Sequence, residues 1–168
     1  MKDHNRTVFQ DIWSGVSPCY ELGRFEDHDL MVMLGPKPVR RGHCLVVPRQ
    51  PIDHWHDLPP KLAMNATKLG QITAKHLIAV LSPRPARVEL HVMGYREPHT
   101  HLKIIPSYAK SDNRALFEGG EPRPDTAAEE LISAHQELIF PDELIKAIDS
   151  DLRTGSDEAI SLIQSWAA

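Results

Sequence analysis

The chain has 168 residues, 41% of them apolar and 25% charged, and 19 Lys and Arg against 23 Asp and Glu leave a net charge of −4. That length and balance describe one soluble globular domain with an appendage, and exclude a disordered, collagen-like or disulfide-scaffold chain. A general grip on nucleic acid or an anionic membrane would need a local basic patch, and the sequence offers none.

Cys19 and Cys44 form no CxxC pair, which argues against a zinc ribbon or a disulfide framework and fits a reducing compartment. The opening residues lack the apolar core of a signal peptide, and the longest apolar run, residues 30–34, is far too short to cross a bilayer. A cytoplasmic protein is expected, with neither nucleic acid nor membrane as partner.

Residues 19–48 read as two or three antiparallel strands, punctuated by Asp27-His28-Asp29 and by Gly35-Pro36-Lys37-Pro38. The runs 29–34 and 42–47 are apolar enough for central strands covered on at least one face. A helix is predicted to start near Pro59-Pro60, where proline fits the first turn, and to end near Leu81. Its apolar stripe is Leu62, Leu69, Ile72, His76 and Val80. Residues 86–93 then alternate as a half-buried strand, with Val88, Leu90 and Val92 on one face. After a turn, 99–105 alternate again and put His99, His101, Lys103 and Ile105 on one side. Residues 109–124 look like a linker, and three short helices are predicted beyond it. Asp125 or Thr126 caps the first, Pro141-Asp142 opens the second, and Ser156-Asp157-Glu158 starts the third, which carries Ile160, Ile163 and Trp166.

No phosphate-binding loop, dinucleotide fingerprint, HExxH or GxSxG motif occurs, so the chemistry falls to the histidines. In His99-Thr100-His101-Leu102-Lys103, two imidazoles and an ammonium sit roughly 7 Å apart, because a strand rises about 3.3 Å per residue. Such a row suits a phosphate. A neutral imidazole can attack phosphorus near neutral pH, with cationic neighbours dispersing charge on the phosphoryl oxygens. A chain with 10 histidines can also produce an HxH by chance or as half of a metal site. His99 and His101 have no convincing partners for a zinc site, so no metal and no cofactor are expected. Asp53-His54-Trp55-His56 reads as a solvated turn. His76 and His91 read as packing residues on a helix and a strand, and Trp13, Trp55 and Trp166 as packing or interface residues.

HTHLKIIP, at 99–106, resembles the signature strand of the histidine-triad (HIT) family, His-x-His-x-His followed by apolar residues. The block GPKPVRRGHCLVVPRQPIDHWHDL resembles the family's upstream hairpin, in which Gly-His precedes a Leu-Val-x-Pro strand. The resemblance spans about residues 7 to 108. It implies an α+β fold, an antiparallel sheet packed with a long helix, usually as a homodimer, with a nucleoside phosphate or other phosphorylated small molecule at the histidine strand. On this reading residues 1–110 form the HIT-like domain, and 111–168 a linker and mostly helical extension packed on it. His101 matches the histidine that attacks the α-phosphate to give a nucleotidyl-histidine, His99 the supporting histidine and His43 the upstream one.

Three positions depart from the pattern. Lys103 replaces the third histidine; the HxHxQ transferase and phosphorylase branch, which HTHLK resembles, also lacks it. Lysine can donate to a phosphate but accepts nothing while charged. Gly35 stands where many members carry a ribose-contacting Asn or Asp, and Arg96 where a small polar residue helps protonate the leaving group. Arginine instead suits a phosphate clamp and a more anionic substrate. The expected catalytic residues are therefore His101, His99 and Lys103, with His43, Arg96, Lys103 and Ser107 binding phosphate. The leading function is a nucleotidyl hydrolase or transferase acting on a nucleoside phosphate or dinucleoside polyphosphate. The alternatives are a nucleotide- or phosphate-binding protein without catalysis and a scaffold whose tail helices matter most.

Overall fold

The computed structural model describes residues 6–92, 96–108 and 128–167. Its strands β1 (Glu21–Phe25), β2 (Leu30–Leu34), β3 (Cys44–Pro48), β4 (Arg87–Val92) and β5 (Leu102–Ser107) form one sheet in the order β1-β2-β3-β5-β4. Every pairing is antiparallel. The helix α2 (Pro60–Val80) carries the chain from β3 to the far edge, so the returning β5 fills the gap between β3 and β4.

The sheet is dry on both faces at its centre. Leu30, Val32, Leu34, Cys44, Val46, Leu102 and Ile104 join Leu62, Leu69, Ile72 and Leu77 of α2 in one core. Met31, Met33, Leu45 and Val47 point the other way and meet Phe9, Ile12 and Trp13 of a short helix, α1 (Val8–Trp13). All five residues of β2 and of β3 are buried, which explains their near-continuous apolar spelling. Helix α1 is absent from the sequence reading. A reciprocal cap makes it: Thr7 Oγ1 accepts from the Gln10 N–H, and Gln10 Oε1 accepts from the Thr7 N–H.

Gly70 lets α2 approach β4 and β5 closely, since a Cβ there would lie 3.1 Å from Leu90 Cδ1 and 3.2 Å from Ile104 Cδ1. Edge strand β4 keeps part of its apolar face open, with Leu90 45% and Val92 39% exposed.

The tail helices are α3 (Ala128–Leu138), α4 (Asp142–Thr154) and α5 (Glu158–Trp166). Ala134, Leu138, Phe140, Leu144, Ile148, Leu152 and Ile163 enter the same core as α2. His76 Nε2–H donates to the Leu138 carbonyl (3.0 Å), His135 Nε2–H to that of Glu21 (2.7 Å), and the Phe140 N–H to that of Leu22 (2.9 Å). Arg41, in the turn before β3, reaches the Glu130 carbonyl (3.2 Å), Ser133 Oγ (3.2 Å) and Glu137 Oε1 (2.5 Å), and its own carbonyl accepts from Tyr108 (2.8 Å). The cap expected at Asp125 or Thr126 and the linker expected over 109–124 lie outside the described residues. Helix α5 starts as expected, but Asp157 makes no side-chain cap. Buried Asp151 of α4 does so instead, accepting from Ser156 Oγ (2.7 Å), the Glu158 N–H (2.8 Å) and the Ala159 N–H (3.0 Å).

The strand expected over 99–105 begins only at Leu102. The register that pairs Val46 with Leu102 would next pair Thr100 with Pro48, which has no N–H to give. The Thr100 N–H turns to the Ile52 carbonyl (2.7 Å) and its hydroxyl to that of Asp53 (2.8 Å), so 99–101 lie outside the ladder.

Candidate functional site

The site lies on the α1 face of the sheet, where the chain enters β5. His101 Nδ1–H donates to the His99 carbonyl at 2.9 Å. A carbonyl only accepts, so the neutral ring carries its lone pair on Nε2, the nitrogen a nucleophile needs. Burial holds the His101 pKa below its ordinary value; the bond to His99 opposes this and the Lys103 charge adds to it. The ring is therefore neutral at neutral pH.

His43 lies just before β3 and is 4% exposed. Its Nδ1 accepts from the Val39 N–H (3.1 Å), so its proton is on Nε2, and that buried nitrogen has no hydrogen-bond partner among the described residues. Burial, then the positive fields of Lys103 and His101, lower its pKa to about 3. His43 thus offers a fixed neutral donor. Lys103 is half-buried, faces Leu45 on β3 and His91 on β4, and forms no ion pair among the described residues. Burial and then the charge of Arg96 lower its pKa. A buried unpaired N–H beside repelling cations is an arrangement an anion would relieve.

Two expected site residues are placed apart from this cluster. His99 is fully buried and both its nitrogens are taken: Nε2–H donates to the Pro48 carbonyl (2.7 Å) and Nδ1 accepts from Thr7 Oγ1 (2.8 Å). It has nothing left for a phosphate. Ser107 ends β5, six residues from His101 and so about 20 Å along the strand, too far to share one phosphate. Arg96 is exposed and near enough to Lys103 to repel its charge. Gly35 lies against the His43 ring, 3.5 Å from where its Cβ would be, and supplies no side chain for a sugar.

The sequence reading missed Thr7 and Phe9. The Phe9 ring meets His99 edge-on at 5.3 Å and His101 at 4.8 Å and 52°. The Thr-x-x-Gln cap was the one available signal for this helix. The other histidines behave as packing or surface residues. His54 and His56 stack in an open 3-10 turn, His91 pairs with Glu89 at 3.1 Å, and His76 is buried between helices. Trp13 is packed under Arg24 and Arg49, with their guanidinium carbons 4.9 and 5.5 Å from its ring centre.

No helix among the described residues is long and apolar enough to cross a membrane. Solved structures similar to this chain include a zinc-bound histidine triad family protein from Mycobacterium smegmatis, at 20% identity and a TM-score of 0.63, covering 89% of this chain and 96% of the other. A Hit-like protein from Bartonella henselae gives 17% and 0.63 over 80% and 95%, respectively. A hypothetical histidine triad nucleotide-binding protein from Sulfolobus tokodaii gives 18% and 0.61 over 86% and 95%. These likenesses establish the fold. Among the described residues no group of three or more His, Cys, Asp or Glu could hold a metal ion. The HIT domain model matches residues 23–110, more than half of the sequence and the whole sheet apart from the start of β1, and the chain belongs to the HIT family.

Proposed function

We propose that the protein is a nucleotidyl hydrolase or transferase in which His101 Nε2 attacks the α-phosphate of a nucleoside phosphate or dinucleoside polyphosphate. The observation that carries this is the His101 tautomer, fixed by the His99 carbonyl, beside the unpaired His43 Nε2–H and the Lys103 ammonium. The P–N bond to His101 forms as the bond from phosphorus to the leaving group breaks; water or another acceptor then displaces the imidazole. His43, Lys103 and Arg96 hold the phosphoryl oxygens, and Lys103 in the third position aligns the chain with the HxHxQ branch.

A panel of nucleoside phosphoramidates, adenylylated amines and dinucleoside polyphosphates, with intact-mass detection of nucleotidyl-His101, tests this. Turnover and an adduct that both vanish in His101→Ala are expected. Neither appearing with any substrate would defeat the reading. A second reading, nucleotide binding without turnover, draws support from the burial of His101, only 7% exposed; it predicts a raised Tm with nucleotide and no product.

The proposal includes a homodimer, supported by the open apolar side of edge strand β4 at Leu90 and Val92 and a cleft of about 520 Å³ between β4 and α2. Leu90→Glu should then yield a monomer by sedimentation. It also includes a cytoplasmic setting, in keeping with the free thiols of Cys19 and Cys44, and an extension over 111–168 packed on the HIT-like domain.

A further inference from the structure

We infer that Thr7 is a positioning residue for His101, acting through His99 from the first turn of α1. The inference rests on the proposed role of His101 as nucleophile, and its geometry is a relay of directed hydrogen bonds. The Pro48 carbonyl can only accept, so His99 carries its proton on Nε2 (2.7 Å) and presents a lone pair at Nδ1. Thr7 Oγ1, 2.8 Å away, must therefore donate there. The same oxygen accepts from the Gln10 N–H at 3.2 Å, which fixes the hydroxyl's direction. A second proton on Nδ1 would oblige the Thr7 hydroxyl to turn away and accept instead, giving up the acceptor it now has. Thr7 and Pro48 thus fix the orientation of the His99 ring from its two nitrogens, and the carbonyl of the residue so held fixes the His101 proton on Nδ1.

Two further contacts tie α1 to the same segment. The Val8 N–H donates to Glu97 Oε1 at 2.7 Å, and Phe9 packs on both imidazoles. Glu97 is also a carboxylate whose field favours the charged forms of His99 and His101. Burial keeps both imidazoles neutral against that field, and α1 supplies part of that cover through Phe9. Helix α1 therefore orients the histidine segment as well as covering the sheet.

Three variants separate this from simple helix capping. Thr7→Ser keeps the hydroxyl. Thr7→Asp keeps an N-cap acceptor for Gln10 but offers His99 Nδ1 only acceptors. Thr7→Val keeps the shape and removes the hydroxyl. Ring-nitrogen NMR should show His99 protonated on Nε2 and His101 on Nδ1 in the wild type and in Thr7→Ser, and His99 doubly protonated near neutral pH in Thr7→Asp. With a nucleotide substrate, kcat should fall about 10- to 100-fold in Thr7→Asp and Thr7→Val, with KM little changed and Thr7→Ser close to wild type. If Thr7→Asp keeps wild-type imidazole states and kcat, Thr7 is only a cap and the inference is overturned. Should the wild type turn over no nucleotide, the NMR comparison still decides the relay, so the two failures remain distinct.

Discussion

Replacing His76 by leucine is expected to destabilise the protein at neutral pH and to matter much less in mild acid. His76 is 2% exposed and packs against Phe140 and Trp166, with ring centres 5.0 and 5.9 Å away. Its Nε2–H serves the Leu138 carbonyl, while its Nδ1 is buried without a partner among the described residues. Burial lowers its pKa from 6.5 to about 4, with the Leu138 bond opposing. Below the unfolded value the denatured chain takes up a proton that the native ring refuses, so stability present above that pH is lost as pH falls toward the folded value. Integrated to about pH 5, that linkage removes about 2 kcal/mol from the wild type. The leucine variant has no such titration but leaves the Leu138 carbonyl without its donor, a loss of about 1–2 kcal/mol at any pH. Urea unfolding at neutral pH and at about pH 5, with m-values checked for constancy, measures both gaps. The variant should trail by about 1–2 kcal/mol at neutral pH and draw level near pH 5. A gap of the same size at both pH values would refute the neutral buried state of His76.

Asp151→Ala should cost about 2–3 kcal/mol in the same assay, because it frees two N–H groups and a hydroxyl at the start of α5 at once. Gly42→Ala should lower stability by about 2–4 kcal/mol, since Gly42 has φ of +85° and the new Cβ would lie 2.5 Å from Leu81 Cδ2; an unchanged melting temperature would contradict this. Activity should fall as pH drops through the His101 pKa, which burial sets below 6.5. Removing the Lys103 charge in Lys103→Gln should move that acid limb of kcat/KM upward, because the cation disfavours protonated His101. A limb that moves down, or stays in place, would count against Lys103 facing the ring.

Legibility in the sequence followed how local the cause was. Strands β2 and β3 were readable because both faces are covered, so Leu30 to Leu34 and Cys44 to Val47 are spelled in apolar residues alone. Helix α2 was readable from Pro60 and a long apolar stripe. Helix α1 is too short for its periodicity to stand out. His101 and Lys103 could be grouped by two-residue spacing, but the fate of His99 could not. Its ring is claimed by Pro48, 51 positions earlier, and by Thr7, 92 positions earlier. The cap on α5 was hidden for a similar reason: Asp151 reads as an ordinary acid on a helix surface until the next helix folds back onto it.

Arg41 makes α3 a buttress for the loop that delivers His43. Its guanidinium grips the helix while its carbonyl is held by Tyr108 at the end of β5, two positions before His43. Cutting the chain short of α3 would therefore slacken the His43 loop from behind, and a truncated protein without activity would say little about whether the tail itself meets a partner. Exchanging the charges of Arg41 and Glu137 dissects that mechanical role without deleting a single residue.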